Sequence, residues 1–303
     1  MSWAIGIDVG GTNIKAVAVS ADGAVRHRAS CATEDRVVDV AEWARRAMGL
    51  IAGFEKAGGS TAPAVGVCAP GLAAIDGRSI AHLPGKLAGI AGVDWTRALG
   101  RSAAVPVLND AHAALLGEAW TGAARDRRHV VMLTLGTGIG GAVLCDGRLL
   151  RGAVGRAGHI GHLSLDPDGP VSIVGMPGAI EMLFGDCSVL ARSSGRFVDT
   201  TALVAAHRAG DPEATRIWLR SIHALGSALA SCINLFDPEL IVLGGGIAQA
   251  GEVLFSPLRA ELDRIEWRPG GHQVPVVAAT LGEWAGAIGA ARQAIDFDRG
   301  VQS

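Results

Sequence analysis

The chain is poor in lysine, in paired cysteine and in long apolar runs, and each shortage excludes a class of function. Of its 27 lysines and arginines only Lys15, Lys56 and Lys86 are lysine, and the formal net charge is −2. No basic stripe forms, so the electrostatic footprint of a nucleic-acid-binding protein is missing. The cysteines at 31, 68, 145, 187 and 232 make no C-x-x-C pair and no even framework, which points to a reducing compartment and structural thiols. Apolar stretches such as HVVMLTLGTGIGGAVLCDG are broken by glycine and threonine at strand-like intervals, which argues against a membrane span. The N-terminus lacks a basic region, and Asp8 stands where a signal peptide needs apolar residues. A cytoplasmic protein is expected, with neither membrane nor nucleic acid as partner.

What is abundant is glycine, 43 residues of 303, and a hydrophobic fraction of 49% inflated by alanine. The opening IGIDVGGTNIKAVAVSADG reads as strand, glycine turn, strand and Asp-Gly hairpin signal. Residues 39–57 follow, with Val40, Trp43, Ala47, Leu50, Ile51 and Phe54 at helical spacing. AVGVCAPG and VPVLND are short apolar runs that end in turn chemistry, as buried strands do. The opening pattern then returns in VVMLTLGTGIGGAVLCDGRLL. A long helix is expected from Asp211-Pro212 to about Phe236, then strand, triple glycine and helix in ELIVLGGGIAQAGEVLFSPLRAEL, then a closing helix over 283–295. Two halves that each begin on a hairpin and alternate strands with helices predict a mixed α/β pair of lobes with a ligand cleft.

A glycine turn between strands lets backbone N–H groups converge with no Cβ in the way, which suits an anion and above all phosphate. In the opening turn Gly10, Gly11, Thr12 and Asn13 supply donors, Lys15 adds charge, and Asp8 suits a magnesium ion held through water. Gly136-Thr137-Gly138 follows a strand, and Gly244-Gly245-Gly246 is expected to open a helix. A plain hairpin explains any one of these loops; three together predict a nucleotide. The rival is a nicotinamide dinucleotide, since Gly136, Gly138 and Gly141 spell G-x-G-x-x-G. That fingerprint needs a helix next and an acid about 20 residues on. Here AVLCDG, a strand and turn, follows, and a Walker A sequence is absent as well.

Taken in order, DVGGTNIK, VCAPGL, VLNDAHAALLGEA, LGTGIGGAVL, AGHIGH and VLGGGI resemble the ROK sugar kinases, glucokinase-like members of the actin/hexokinase superfamily, over about residues 5–290. The resemblance implies an α/β, two-lobed actin-like ATPase (ribonuclease H-like) fold with a cleft between the lobes. Residues 1–115 would form the N-terminal lobe, completed by a C-terminal helix over 284–303, and 116–283 the larger lobe. It implies ATP and Mg²⁺, transfer to the primary 6-hydroxyl of a hexose such as glucose or a close analogue, and a homodimer. Asp8 to Lys15 and Gly136–Gly138 would grip the phosphates, with Gly244, Gly245 and Gly246 flanking the adenosine. Asn109 and Asp110 would bind the sugar, Asp110 as catalytic base; Gly71 would lie in the turn approaching it, and His162 and Glu181 would line the pocket.

Asp110 has local support. It ends a strand and precedes a helical run over 111–120, so it reads equally as an N-cap. A carboxylate beside helix-end amides is stabilised as the anion, a weak base for a loose phosphoryl transfer that needs orientation and late proton removal.

The chain departs from the family pattern in two places. His159 in AGHIGH stands where the family carries a sugar-binding glutamate; imidazole accepts one hydrogen bond and donates one, whereas a carboxylate only accepts. This opens the alternative of a specialised amino-sugar (kanosamine-type) or C7-cyclitol kinase of secondary metabolism. Where many members carry zinc-binding cysteines, alignment on Gly178 and Glu181 puts Ser172, Val174 and Ala179, so no structural zinc is expected. The first phosphate motif starts at residue 5, leaving no room for the helix-turn-helix of ROK repressors, and DNA binding is not expected. A non-catalytic sugar-binding regulator is the rival of another class, against which Asp8, Lys15 and Asp110 argue.

Overall fold

The computed structural model describes residues 3–36 and 39–299. The chain divides into two α/β units, one made of residues up to Asp126, Asp146–Ala157 and Thr280 onward, the other of Arg127–Cys145 and Gly158–Ala279.

The first unit runs β1 (Trp3–Val9), β2 (Asn13–Ser20), β3 (Val25–Ala32), α1 (Val40–Gly58), β4 (Ala64–Ala69), β5 (Leu72–Ala73), β6 (Ile80–His82), α2 (Trp95–Ala98), β7 (Val107–Asn109) and α3 (Asp110–Thr121). Its main sheet has the order β3-β2-β1-β4-β7, antiparallel from β3 to β1 and parallel from β1 to β7. All six residues of β4 are buried, as expected of a parallel strand covered on both faces. The alternation along β1 assigns the faces: Ile5, Ile7 and Val9 join the core built on Trp43, Ile51 and Phe54 of α1. Ala4, from the opposite face, packs with Ala287, Ile288 and Ala291 of the C-terminal helix, residues Ala285–Asp298.

That second face is a backbone-to-backbone contact. A Cβ on Gly6 would lie 1.8 Å from Ala287 O, one on Gly66 2.1 Å from Ala290 O, and one on Gly289 1.7 Å from Ala113 O in α3. The C-terminal helix therefore sits directly on β1, β4 and α3. Glu118, fully buried in α3, holds the start of this last segment. Its Oε1 accepts from Thr280 N (2.9 Å) and Leu281 N (2.8 Å), and its Oε2 from Ala123 N (2.7 Å). Trp284 lies under the Arg28 guanidinium, whose Cζ is 5.6 Å from its ring centre.

The second unit begins with β8 (Val130–Leu135) and β9 (Ile139–Cys145), an antiparallel pair. After β9 the Asp146-Gly147 turn, with φ of 53° and 76°, and β10 (Arg148–Leu149) belong to the first unit, and the chain returns to the second at Gly158. Then come α4 (Ile180–Phe184), α5 (Val189–Arg192), α6 (Thr200–Arg208), α7 (Pro212–Phe236), β11 (Leu240–Gly244), α8 (Glu252–Ile265) and β12 (Val276–Ala278). β11 lies parallel to both β8 and β12, so the strands run β9-β8-β11-β12. α7 starts as the sequence signals, with Asp211 accepting from the Glu213 and Ala214 amides ahead of Pro212 at the first turn. Among the described residues no helix is long and apolar enough to cross a membrane, and the five cysteines are free thiols.

Two local readings need correction. The triple glycine does not open an α-helix directly: Gly246 leads into a 3-10 turn over Ile247–Ala250, and α8 begins only after Gly251. The N-cap of α3 is Asn109, not Asp110. Asn109 is extended at φ −64°, ψ 147° and its side chain accepts from the Ala111 and His112 amides, so Asp110 is the first helical residue.

Candidate active site

In the first unit the strand register sets the site. Asp8 and Lys15 face each other across the β1–β2 ladder, and the turn between them is closed by Gly10 N donating to Asn13 O at 3.0 Å. Thr33 holds the turn from behind: its Oγ1 donates to Gly10 O at 2.6 Å and its N to Thr12 O at 2.8 Å. Gly11, Thr12 and Asn13 are exposed, and a Cβ on Gly11 would meet no protein atom. The turn is thus an open cradle of amides on a fixed base. Lys15 is engaged, its Nζ 3.1 Å from Glu283 Oε2.

The Asp8 carboxyl is strongly perturbed. Enclosure among protein atoms, and secondarily the Asp110 charge, push its carboxyl up to about 7, against the opposing pull of Lys15, a hydrogen bond with Cys68, and Lys86. The buried Cys68 thiol is pushed up in turn by burial and by the two aspartates. Neither Cys68 nor Lys86 is singled out for this site by the sequence.

Asn109 and Asp110 have separate tasks. Asn109 is 6% exposed and fully committed: its amide donates to Gly71 O (2.9 Å) and Asp110 Oδ1 (2.9 Å), while its oxygen caps α3. Gly71, at φ 102°, could carry no side chain, because a Cβ would lie 2.6 Å from His82 O. Gly71 therefore serves as the acceptor that aims Asn109. Asp110 Oδ1 also accepts from Ala111 N at 2.9 Å, while Oδ2 has no hydrogen bond among the described residues. One oxygen is locked and the other presented.

The second unit holds the remaining candidates. The segment Gly158 to His162 lies against β9 so closely that a Cβ on Gly161 would be 1.8 Å from Ile139 O, and one on Gly141 2.4 Å from Gly158 O. This contact requires the small residues of AGHIGH and positions its histidines. The His159 and His162 rings lie nearly parallel, 6.3 Å apart at 17°, and His162 Nδ1 is 3.3 Å from Glu181 Oε1. Glu181 Oε2 lies 2.9 Å from where a Cβ on Gly138 would be, so the Gly136–Gly138 turn and the histidine pair meet at one carboxylate.

A cavity of about 540 Å³ opens in this unit, lined by Gly136 and Thr137, by Gly246, Ile247, Gln249 and Ala250, by Thr200, Thr201, Val204, Ala205 and Arg208 of α6, and by Asp186 and Asp199. It brings together two of the three glycine loops. Gly245, at φ 85° with Leu135 O 2.3 Å from its missing Cβ, shapes the loop behind the wall. Sequence reasoning missed the α6 side of the cavity. Asp199 was legible only as a helix cap, and Asp186 offered no signal.

Among the described residues no group of three or more His, Cys, Asp or Glu side chains is placed to hold a metal ion. The segment aligned with the family's cysteines carries Ser172, Val174 and Ala179, none of which supplies a thiolate. That segment is tied by its own hydrogen bonds instead, Leu165 N to Gly178 O (2.9 Å), Ser172 N to Met176 O (2.9 Å) and Ser164 Oγ to Pro177 O (2.6 Å). Mg²⁺ makes a different demand, since it binds through one or two carboxylates, with phosphate and water completing its shell. Asp8, an oxygen donor whose ionisation a nearby cation would favour, fits that role.

Two α/β units, each opening on a glycine-turn hairpin, define the actin-like ATPase fold. The ROK family model matches residues 4–296, and the chain belongs to the ROK family. It is 35% identical to a glucokinase of Thermotoga maritima, over 95% of each chain, and 31% identical to an N-acetylmannosamine kinase of Escherichia coli O157:H7, over 95% of this chain and 96% of the relative. Among solved structures, a ROK hexokinase from Thermus thermophilus superposes with a TM-score of 0.87 at 32% identity, over 98% of this chain and 99% of the other. A ROK glucokinase from Streptomyces griseus, in complex with glucose and AMPPNP, superposes with a TM-score of 0.80 at 28% identity, over 97% and 100%.

Proposed function

We propose that the protein is an ATP-dependent sugar kinase that places phosphate on the primary 6-hydroxyl of a hexose such as glucose or a close analogue, with Asp110 as catalytic base. The observation that carries this reading is the Asp110 carboxylate: Asn109 and the Ala111 amide fix Oδ1, and Oδ2 is left to take a proton. The sugar hydroxyl oxygen bonds to the γ-phosphorus, the bond to the leaving ADP oxygen breaks, and the hydroxyl proton passes to Asp110 Oδ2. Because phosphoryl transfer is loose, Asp110 acts chiefly by orienting the hydroxyl and receiving its proton late. The Gly10–Asn13 turn, through the amides left after Gly10 N closes it, and the Gly136–Gly138 turn bind phosphate oxygens, and the cavity beside Gly246 takes the nucleoside. Asp8 would hold Mg²⁺ through water; when bound, the ion neutralises phosphate charge.

The kinase relatives support a sugar as acceptor, and the AMPPNP bound by the Streptomyces griseus enzyme supports ATP as donor. A second acceptor reading draws on the histidine pair. Two stacked imidazoles beside Glu181 can donate as well as accept, which suits an amino sugar or a cyclitol as well as glucose. An ATP assay across glucose, mannose, N-acetyl and free amino sugars and cyclitols separates the two; glucose with by far the best kcat/KM eliminates the specialised kinase. Sugar-dependent ADP release eliminates a non-catalytic regulator. The same reading makes the enzyme a cytoplasmic homodimer, for which light scattering in solution should give the mass of two chains.

A further inference from the structure

We infer that Asp186 and Asp199 select the phosphoryl donor, making the space beside the Gly136–Thr137 turn a ribose subsite that admits a ribonucleoside triphosphate and rejects inorganic polyphosphate. The inference rests on the reading of this cavity as the nucleotide site and adds what that site must recognise.

The cavity changes character along its length. Val204 and Ala205 of α6 and Ile247 and Ala250 of the 3-10 turn give apolar walls suited to a planar base, and Arg208 is pinned there through Nη2 to Ala250 O at 3.0 Å. Around the first turn of α6 the lining is acidic. Asp186 is locked to the phosphate turn, its N donating to Gly136 O at 3.0 Å, and its Oδ1 accepts from Thr200 N at 2.6 Å. Asp199 Oδ1 caps α6 by accepting from Ala202 N at 2.7 Å. Each carboxylate thus spends one oxygen on the helix amides. Thr200, 7% exposed, lies between them on the cavity wall, and its Oγ1 has no partner among the described residues.

Two carboxylates next to a phosphate-binding turn repel a chain of further phosphates, because like charges at close range are unfavourable. What they accept is hydroxyl hydrogen. The group attached to the bound phosphates must therefore be uncharged and carry hydroxyls, as a ribose does, with the Thr200 hydroxyl available to a ribose oxygen. No bond is made or broken in this step; it is recognition only.

The test is calorimetric titration of AMPPNP, its 2′,3′-dideoxy counterpart and inorganic tripolyphosphate, with Mg²⁺, into the wild type and into Asp186→Asn and Asp199→Asn. The amides keep the oxygens that hold α6 while removing the charge and replacing the second, accepting oxygen with a donor, and thermal melting confirms that the variants fold. In the wild type, loss of the ribose hydroxyls should weaken binding by about tenfold to a hundredfold, with tripolyphosphate weaker still. Each variant should weaken AMPPNP and tighten tripolyphosphate, closing the gap by about tenfold. Wild-type affinity that is equal for the ribo and dideoxy compounds, or equal for AMPPNP and tripolyphosphate, overturns the inference and leaves the kinase reading intact. Failure of AMPPNP to bind at all removes the kinase reading, and this inference with it.

Discussion

Asn109 and Asp110 are adjacent, polar and at the start of the same helix, yet the structure commits one and presents the other. Asn109 uses both amide hydrogens and its oxygen inside the protein, so under the proposed mechanism it would act through Asp110. Asp110→Asn should lower kcat by about 10²–10⁴-fold while nucleotide affinity by calorimetry stays nearly unchanged; full activity would remove Asp110 from the mechanism. Asn109→Ala loses the cap of α3, which typically costs about 1 kcal/mol, and frees Asp110 to turn. Its thermal midpoint should fall modestly, and kcat should fall more than sugar KM rises, whereas a residue that only contacts ground-state sugar would raise KM alone. At this scale the sequence reads Asp110 as the cap of α3 where the structure has Asn109, because Asn and Asp are equally good caps and only the backbone dihedrals distinguish them.

At the scale of elements, the hairpins and long helices were readable because their signals are local. Alternation marks β1 and β2, and Asp211-Pro212 starts α7. The packing of the C-terminal helix was not readable. Its alanines and glycines registered only in the overall composition, yet they are what lets its backbone touch β1, β4 and α3. Gly289→Ala puts a methyl 1.7 Å from Ala113 O, so the helices must separate, at a cost of about 1–3 kcal/mol by denaturant unfolding, and α3 must shift with Asp110 at its first turn. An undiminished kcat in a destabilised Gly289→Ala would show that the base is insensitive to the seating of α3. In the second unit Glu239, which accepts from Arg128 N and His129 N at the entrance to β8, has its carboxyl held below the usual range by those amides. The folded value lies below the unfolded one, so the stabilisation is present above the unfolded value and fades as pH falls through the folded one. The difference in melting temperature between wild type and Glu239→Gln should therefore shrink on acidification.

For the molecule as a whole, the family was legible from a handful of glycine-rich motifs, because tight glycine turns constrain backbone and so constrain sequence. The lining of the cavity was not, since Asp186, Thr200 and Gln249 come from separate elements and share no pattern. The metal account also belongs to this scale. With Leu165, Ser164 and Ser172 holding the segment before α4 by hydrogen bonds, a chelator should leave the melting temperature of the nucleotide-free protein unchanged while abolishing turnover through loss of Mg²⁺. A large chelator-induced drop in melting temperature would mean that a structural metal is present. The central claim, sugar phosphorylation with Asp110 as base, is tested most directly by following ADP release from Mg-ATP with and without a panel of hexoses, in wild type and Asp110→Asn. The account predicts ADP formed one for one with a sugar phosphate, only when an acceptor is present, and its near disappearance in the variant. Nucleotide turnover indifferent to every sugar, or unchanged in Asp110→Asn, would contradict it.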